Sequence, residues 1–159
     1  MNDDIEAREK FLFTLDWLLA LNERHANAIQ CGLLHVCFHD KQILGNVYGA
    51  QQAARLLIGL AAKLRQEFRK TDLVARDGTD FWILIPYTDP ATVTEKVGQL
   101  IELASNDGLD IVDRDMAFFD LKTLESIKSL AADGPLAFLE NLRKNRNVTR
   151  SWEHTRTKD

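Results

Sequence analysis

Two kinds of apolar spacing alternate along the chain, and each switch between them marks a boundary. From Asn2 to about Glu23, Ile5, Phe11, Leu12, Leu15, Leu18 and Leu19 recur at helical spacing, with Asn2, Asp3 and Asp4 placed to cap the start. Cys31–His39 changes to a period of two. Val36 and Phe38 fall on one face and His35, Cys37 and His39 on the other, which predicts the first strand. Asp40–Tyr48 holds two glycines in total with its flank and reads as a loop or broken helix. Gly49–Phe68 returns to helical spacing through Ala53, Leu56, Leu57, Leu60, Leu64 and Phe68. Two β-prone runs, Asp72–Arg76 and Phe81–Ile85, then flank an Asp77–Gly78 turn signal, and this predicts a hairpin. The second run, F-W-I-L-I, is apolar throughout, as a central strand covered on both faces would be, and Pro86 ends it. Asp89-Pro90 opens a helix to about Ser105, with Val93, Val97, Leu100, Ile101 and Leu103 as its apolar set. After the Asn106-Asp107-Gly108 turn, Leu109–Val112 and Met116–Leu121 are strand candidates. Leu124–Ala131 reads as a short helix, and Asp133-Gly134-Pro135 starts a last one over Leu136–Lys144. Arg150–Asp159 is a polar end that Trp152 could anchor.

Helix, strand, helix, hairpin, helix, strands, helices is the order of an α/β sandwich, here expected around a mixed central sheet. Val36, Phe38, Leu60, Leu64, Trp82, Leu84 and Val97 are the predicted core, with Asp77–Gly78 at an exposed turn. Residues 1–24 form a packing or dimerisation helix, residues 25–150 the domain proper, and residues 151–159 a polar tail. At 159 residues the chain makes one domain, burying about two-thirds of its unfolded surface. The net charge of −4 argues against a general nucleic-acid binder, which would show a basic face. Cys31 and Cys37 are too few for a disulfide framework and too far apart on one strand to pair, which points to a reduced, cytosolic setting. No run approaches a membrane span, and the acidic start M-N-D-D-I-E is not signal-like.

The stretch T-D-L-V-A-R-D-G-T-D-F-W-I-L-I-P, Thr71–Pro86, resembles the signature hairpin of the GGDEF (diguanylate cyclase) family. There an arginine and one variable residue precede G-G-(D/E)-E-F, and an apolar strand ending in proline follows. The turn here, Asp77–Phe81, is one residue short and reads D-G-T-D-F. Upstream, Arg69-x-x-Asp72 matches the family's RxxD inhibitory site for the product cyclic di-GMP. The resemblance runs from the first strand to the C-terminal helix. It implies a cytoplasmic bacterial signalling domain with a cyclase or polymerase-palm-like fold, its helices packed around a sheet of about five strands.

Joining two GTP molecules requires divalent metals held by carboxylates. Counting back from Arg69 places Tyr48-Gly49 on the family's aromatic-glycine pair. On that register Cys37 replaces the metal-binding aspartate and His39 the second aspartate of the D-x-D-x-F-K run, whose phenylalanine and lysine positions hold Lys41 and Gln42. The guanine-reading positions hold Gly45 and Ala54. At the turn, Thr79 takes the acidic metal position, and Asp80 and Phe81 match the closing E-F. Near the end, Arg146 fits the phosphate-binding arginine, while Leu142 stands at the lysine position beside Arg143 and Lys144. A thiol and a hydroxyl cannot replace two carboxylates around a hard dication. The expectation is therefore a domain with no catalysis and no cofactor.

Arg69 and Asp72 carry the binding expectation. A guanidinium can pair with a guanine edge or a phosphate, and a carboxylate can accept from the guanine N–H edge. The expected pair is exposed, so its removal should leave folding undisturbed. The plainer reading is a surface ion pair worth at most about 1 kcal/mol. Arg76 matches the family's arginine before the turn and is expected to be structural. Partners implied are cyclic di-GMP and a second copy or another signalling protein, without nucleic acid or membrane insertion. The competing readings are an interaction or relay module that binds no nucleotide, and a residual cyclase. His35-x-Cys37-x-His39 offers ligands for a transition metal, but side chains along one straight strand face fan out instead of converging.

Overall fold

A computed structural model describes residues 2–25, 30–38, 49–86, 89–106, 114–121, 127–144 and 150–152. The elements run α1 (Asn2–Arg24), β1 (Cys31–Phe38), α2 (Ala50–Glu67), β2 (Leu73–Asp77), β3 (Asp80–Pro86), α3 (Pro90–Asn106), β4 (Arg114–Asp120), α4 (Ile127–Leu130), α5 (Pro135–Lys144) and β5 (Arg150–Trp152). The strand order is β2-β3-β1-β4-β5. Every described pairing is antiparallel, so the sheet expected as mixed is not. The reason lies in the hairpin. β1 and β2 run the same way and are joined through α2, as in a parallel crossover, but β3 folds back and takes the place between them. The result is a split β-α-β arrangement. The sheet also reaches into the segment expected as a tail, because Arg150–Trp152 pairs with Met116–Phe118.

Strand alternation sorts the core into two layers. Leu34, Val36 and Phe38 of β1 join Phe81, Ile83 and Ile85 of β3 beneath α2 and α3, which contribute Leu57, Leu60, Leu64, Val97 and Leu100. Cys31, Leu33, Trp82, Leu84 and Phe119 face the other way, against Phe11, Leu15 and Leu19 of α1 and Phe138, Leu139 and Leu142 of α5. Covered on both sides, β3 can be apolar at every position, and all the predicted core residues are buried. Helices start where the sequence signals them. Asp89 accepts from the Thr92 backbone N–H at 2.9 Å, ahead of Pro90 in the first turn of α3. The candidate strand Leu109–Val112 and residues 124–126 of the predicted helix Leu124–Ala131 lie outside the described residues, and the rest of that prediction holds the short helix α4.

The hairpin is one residue out of the expected phase. Asp77 pairs with Asp80, so Gly78 and Thr79 form the two-residue loop. Gly78 has φ 64°, a left-handed conformation that costs glycine little. Arg76 holds this end to α1, as a structural residue would. It donates to Asp4 at 3.0 Å and to the Gly78 carbonyl at 2.7 Å.

Candidate functional site

The end of β1 meets the hairpin turn. Cys37 stands opposite Asp80, and the Phe38 backbone N–H donates to the Thr79 carbonyl at 3.0 Å. Tertiary structure thus brings together Cys37, Thr79 and Asp80, from two separate stretches of sequence. The Cys37 thiol is half-buried, and burial, followed by the Asp80 charge, pushes it up to about 11. Such a thiol is neutral at pH 7. Phe81, the last residue of the turn motif, points into the opposite layer and packs edge-on against Phe38.

Asp80 is the buried carboxylate at this corner. Its oxygens reach His35 Nε2 at 2.9 Å and Arg143 of α5 at 3.3 Å. Burial raises its pKa, but the hydrogen bond and charge of His35, then the Cys37 thiol and Arg143, outweigh this and leave it lowered. His35 is buried too, stacked on Trp82 with ring centroids 4.2 Å apart. The imidazole is therefore held between a carboxylate and an indole. Among the described residues no group of His, Cys, Asp and Glu could hold a metal ion. His39, Gly45 and Arg146 lie outside the described residues, and Ala54 is exposed on α2.

Arg69 and Asp72 sit at the junction of α2 and β2, at the other end of the sheet. They are not the exposed pair that the sequence suggested. Arg69 is exposed, whereas the Asp72 side chain is only 3% exposed and its carboxylate lies 2.5 Å from Lys96 Nζ. Lys96 projects from α3 and is itself buried, with its ammonium 4.7 Å from the centre of the Phe68 ring. Asp72 also accepts from the Arg69 backbone N–H at 3.2 Å, closing the turn from within. Three pairings were missed in the sequence: Lys96 with Asp72, and His35 and Arg143 with Asp80. Lys96 had a signal: it lies among Val93, Val97 and Leu100 on the apolar face of α3, where a charge needs a buried counterpart.

No protein-family model matches the chain. Among curated proteins, glutamyl-tRNA reductase from two strains of Neisseria gonorrhoeae is 37% identical over 73 residues. That match covers 46% of this chain and 17% of the reductase. Among solved structures, the GGDEF domain of DgcB from Caulobacter crescentus, in complex with c-di-GMP, superposes with a TM-score of 0.60 at 19% identity, covering 88% of this chain and 84% of that one. The GGDEF domain of YfiN (TpbB) from Pseudomonas aeruginosa gives 0.56 at 18% identity, with 89% and 87% covered. The S helix-GGDEF-EAL portion of LapD from Vibrio cholerae, bound to c-di-GMP, gives 0.55 at 18%, with 88% and 32% covered. The chain has the fold of a GGDEF domain.

Proposed function

We propose that this chain is a signalling domain that does not make cyclic di-GMP and instead binds it at the Arg69–Asp72 turn. The observation that carries the reading is the composition of the corner where β1 meets the hairpin. Cys37 and Thr79 occupy positions where metal-binding carboxylates are needed, and Asp80 is committed to His35 and Arg143. A neutral thiol and a hydroxyl give a hard dication no charge to bind. The binding half of the reading is supported by the exposed Arg69 and by two fold neighbours whose structures contain c-di-GMP. Asp72 then has a positioning role. Its carboxylate fixes the turn through Lys96 and the Arg69 N–H, and the Arg69 guanidinium is the group offered to guanine or phosphate. The two free cysteines fit a reducing cytoplasm.

A second reading, an interaction module without nucleotide, is favoured by α1. Phe13 and Trp17 are 78% and 59% exposed on adjacent turns of its outer face. Calorimetric titration with cyclic di-GMP, alongside a GTP turnover assay with Mg²⁺ or Mn²⁺, separates the two. We expect binding, and no product above a blank. A bidentate arginine contact to guanine is worth about 1–3 kcal/mol, so Arg69→Ala should weaken binding by roughly five- to 150-fold. No binding by wild type at high micromolar ligand favours the interaction module. Turnover in protein free of other cyclases refutes the inactive site.

A further inference from the structure

We infer that the cavity between α1 and the sheet, at the end away from the hairpin turn, is a binding site for an amphipathic anion: an apolar body with a single carboxylate or phosphate head. This site is separate from the corner where β1 meets the hairpin; it borders the Arg69–Asp72 turn through Lys70 and Thr71, and it does not require that cyclic di-GMP binds there. The cavity measures about 490 Å³, within the range of small-molecule sites of about 300–1,000 Å³. Its described lining divides by chemistry. Cys31, Leu84, Leu73, Leu18 and Pro86 form the apolar part, with Cys31 and Leu84 buried in the sheet. Lys10, Thr14, Gln30, Lys70 and Thr71 supply the polar part, with both lysines exposed at the rim. No acidic residue is among the described lining residues.

Three physical facts select an anion with an apolar tail. First, the only charged groups among the described lining residues are two ammoniums, in a chain whose net charge is −4. Neither lysine has a carboxylate partner among the described residues. Second, the ammoniums and threonine hydroxyls can all donate hydrogen bonds to a carboxylate or phosphate. Third, the floor stays uncharged. Burial, followed by the charge of Asp120, pushes the Cys31 thiol up to about 12, so the floor carries no thiolate, and the Asp120 carboxylate behind it favours an anionic head at the lysine rim with the apolar tail on the floor.

The two sides of the cavity belong to different elements. Lys10, Thr14 and Leu18 are spaced four apart along α1, on one stripe of the helix. Lys70 and Thr71 are the two central residues of the turn between Arg69 and Asp72. An anion held by both lysines ties α1 to that turn. Its head competes with water at the rim, which limits the gain per lysine, and its tail gains by covering the apolar floor.

The test is calorimetry of the full chain with decanoate, decyl phosphate, decanol and decylamine. The chain length is constant, and only the head changes. We expect the two anions to bind at least tenfold more tightly than decanol, decylamine to bind worst, and anion affinity to fall as salt rises. Lys10→Glu combined with Lys70→Glu should weaken decanoate by about tenfold or more. Both positions are exposed, so the variant is expected to fold, and circular dichroism checks this. Methyl NMR shifts on adding decanoate should centre on Leu18, Leu73 and Leu84. Equal binding of decanol and decanoate, unchanged affinity in the double variant, or methyl shifts confined to other residues would each overturn the inference.

Discussion

Replacing Asp72 with alanine should unfold this domain more readily than any surface substitution. The reason is what remains behind. Lys96 is 7% exposed at its side chain, and its described carboxylate partner is Asp72, 2.5 Å away. Removing one member of a buried pair leaves an uncompensated charge, at a cost of about 3–5 kcal/mol. The Phe68 ring stays in place 4.7 Å from the ammonium, a contact worth about 0.5–2 kcal/mol that softens the loss without replacing a carboxylate. The lost acceptor for the Arg69 N–H adds about 1 kcal/mol. A net destabilisation of about 2–5 kcal/mol follows. With a urea slope of about 2 kcal/mol per molar, the midpoint should fall by about 1–2.5 M. The assay is equilibrium urea denaturation of wild type, Asp72→Ala, Lys96→Met and the double variant. The double variant should recover to within about 1 kcal/mol of wild type, because no orphaned charge remains. A loss below about 1 kcal/mol in Asp72→Ala, the size of an exposed pair, refutes the argument. So does a double variant no more stable than Asp72→Ala.

Two further outcomes test other parts of the structure. The lowered pKa of Asp80 means its carboxylate is favoured by folding, so this stability is present above the unfolded value near pH 4 and is lost as pH falls through the folded value. Asp80→Asn should lower stability at pH 6 and flatten its dependence on acid below about pH 4, and an unchanged acid limb in urea titrations would contradict the His35–Asp80 coupling. At Gly32, an added Cβ would lie 2.2 Å from the Phe118 ring and 3.1 Å from the Phe119 carbonyl. Gly32→Ala should therefore destabilise by about 1–3 kcal/mol through overpacking, whereas a melting temperature equal to wild type would mean that Phe118 moves aside freely.

Much of the architecture was legible in the chain itself. The helical stripes of α2 and α3, the alternation in β1 and the continuous apolar run of β3 are local patterns, imposed by the geometry of each element on whichever residues face the core. The Asp89-Pro90 start and the hairpin could be read for the same reason, since capping and turn preferences act over a few residues. Cys37 and Thr79 could be singled out from the sequence, but their meeting with Asp80 at one corner needed the pairing of β1 with β3.

Other properties depended on residues far apart in sequence. That β3 lies between β1 and β2 makes the described sheet antiparallel throughout, although a helix linking two strands suggested otherwise. The Asp72–Lys96 pair joins positions 24 apart, and the His35–Asp80 contact joins positions 45 apart. Local spacing carries no record of such pairings, because charge and hydrogen bonding act through space and depend on the burial that packing creates. R-x-x-D could be read from one turn of chain, but whether its carboxylate faced solvent or a buried lysine was decided by α3 packing against α2.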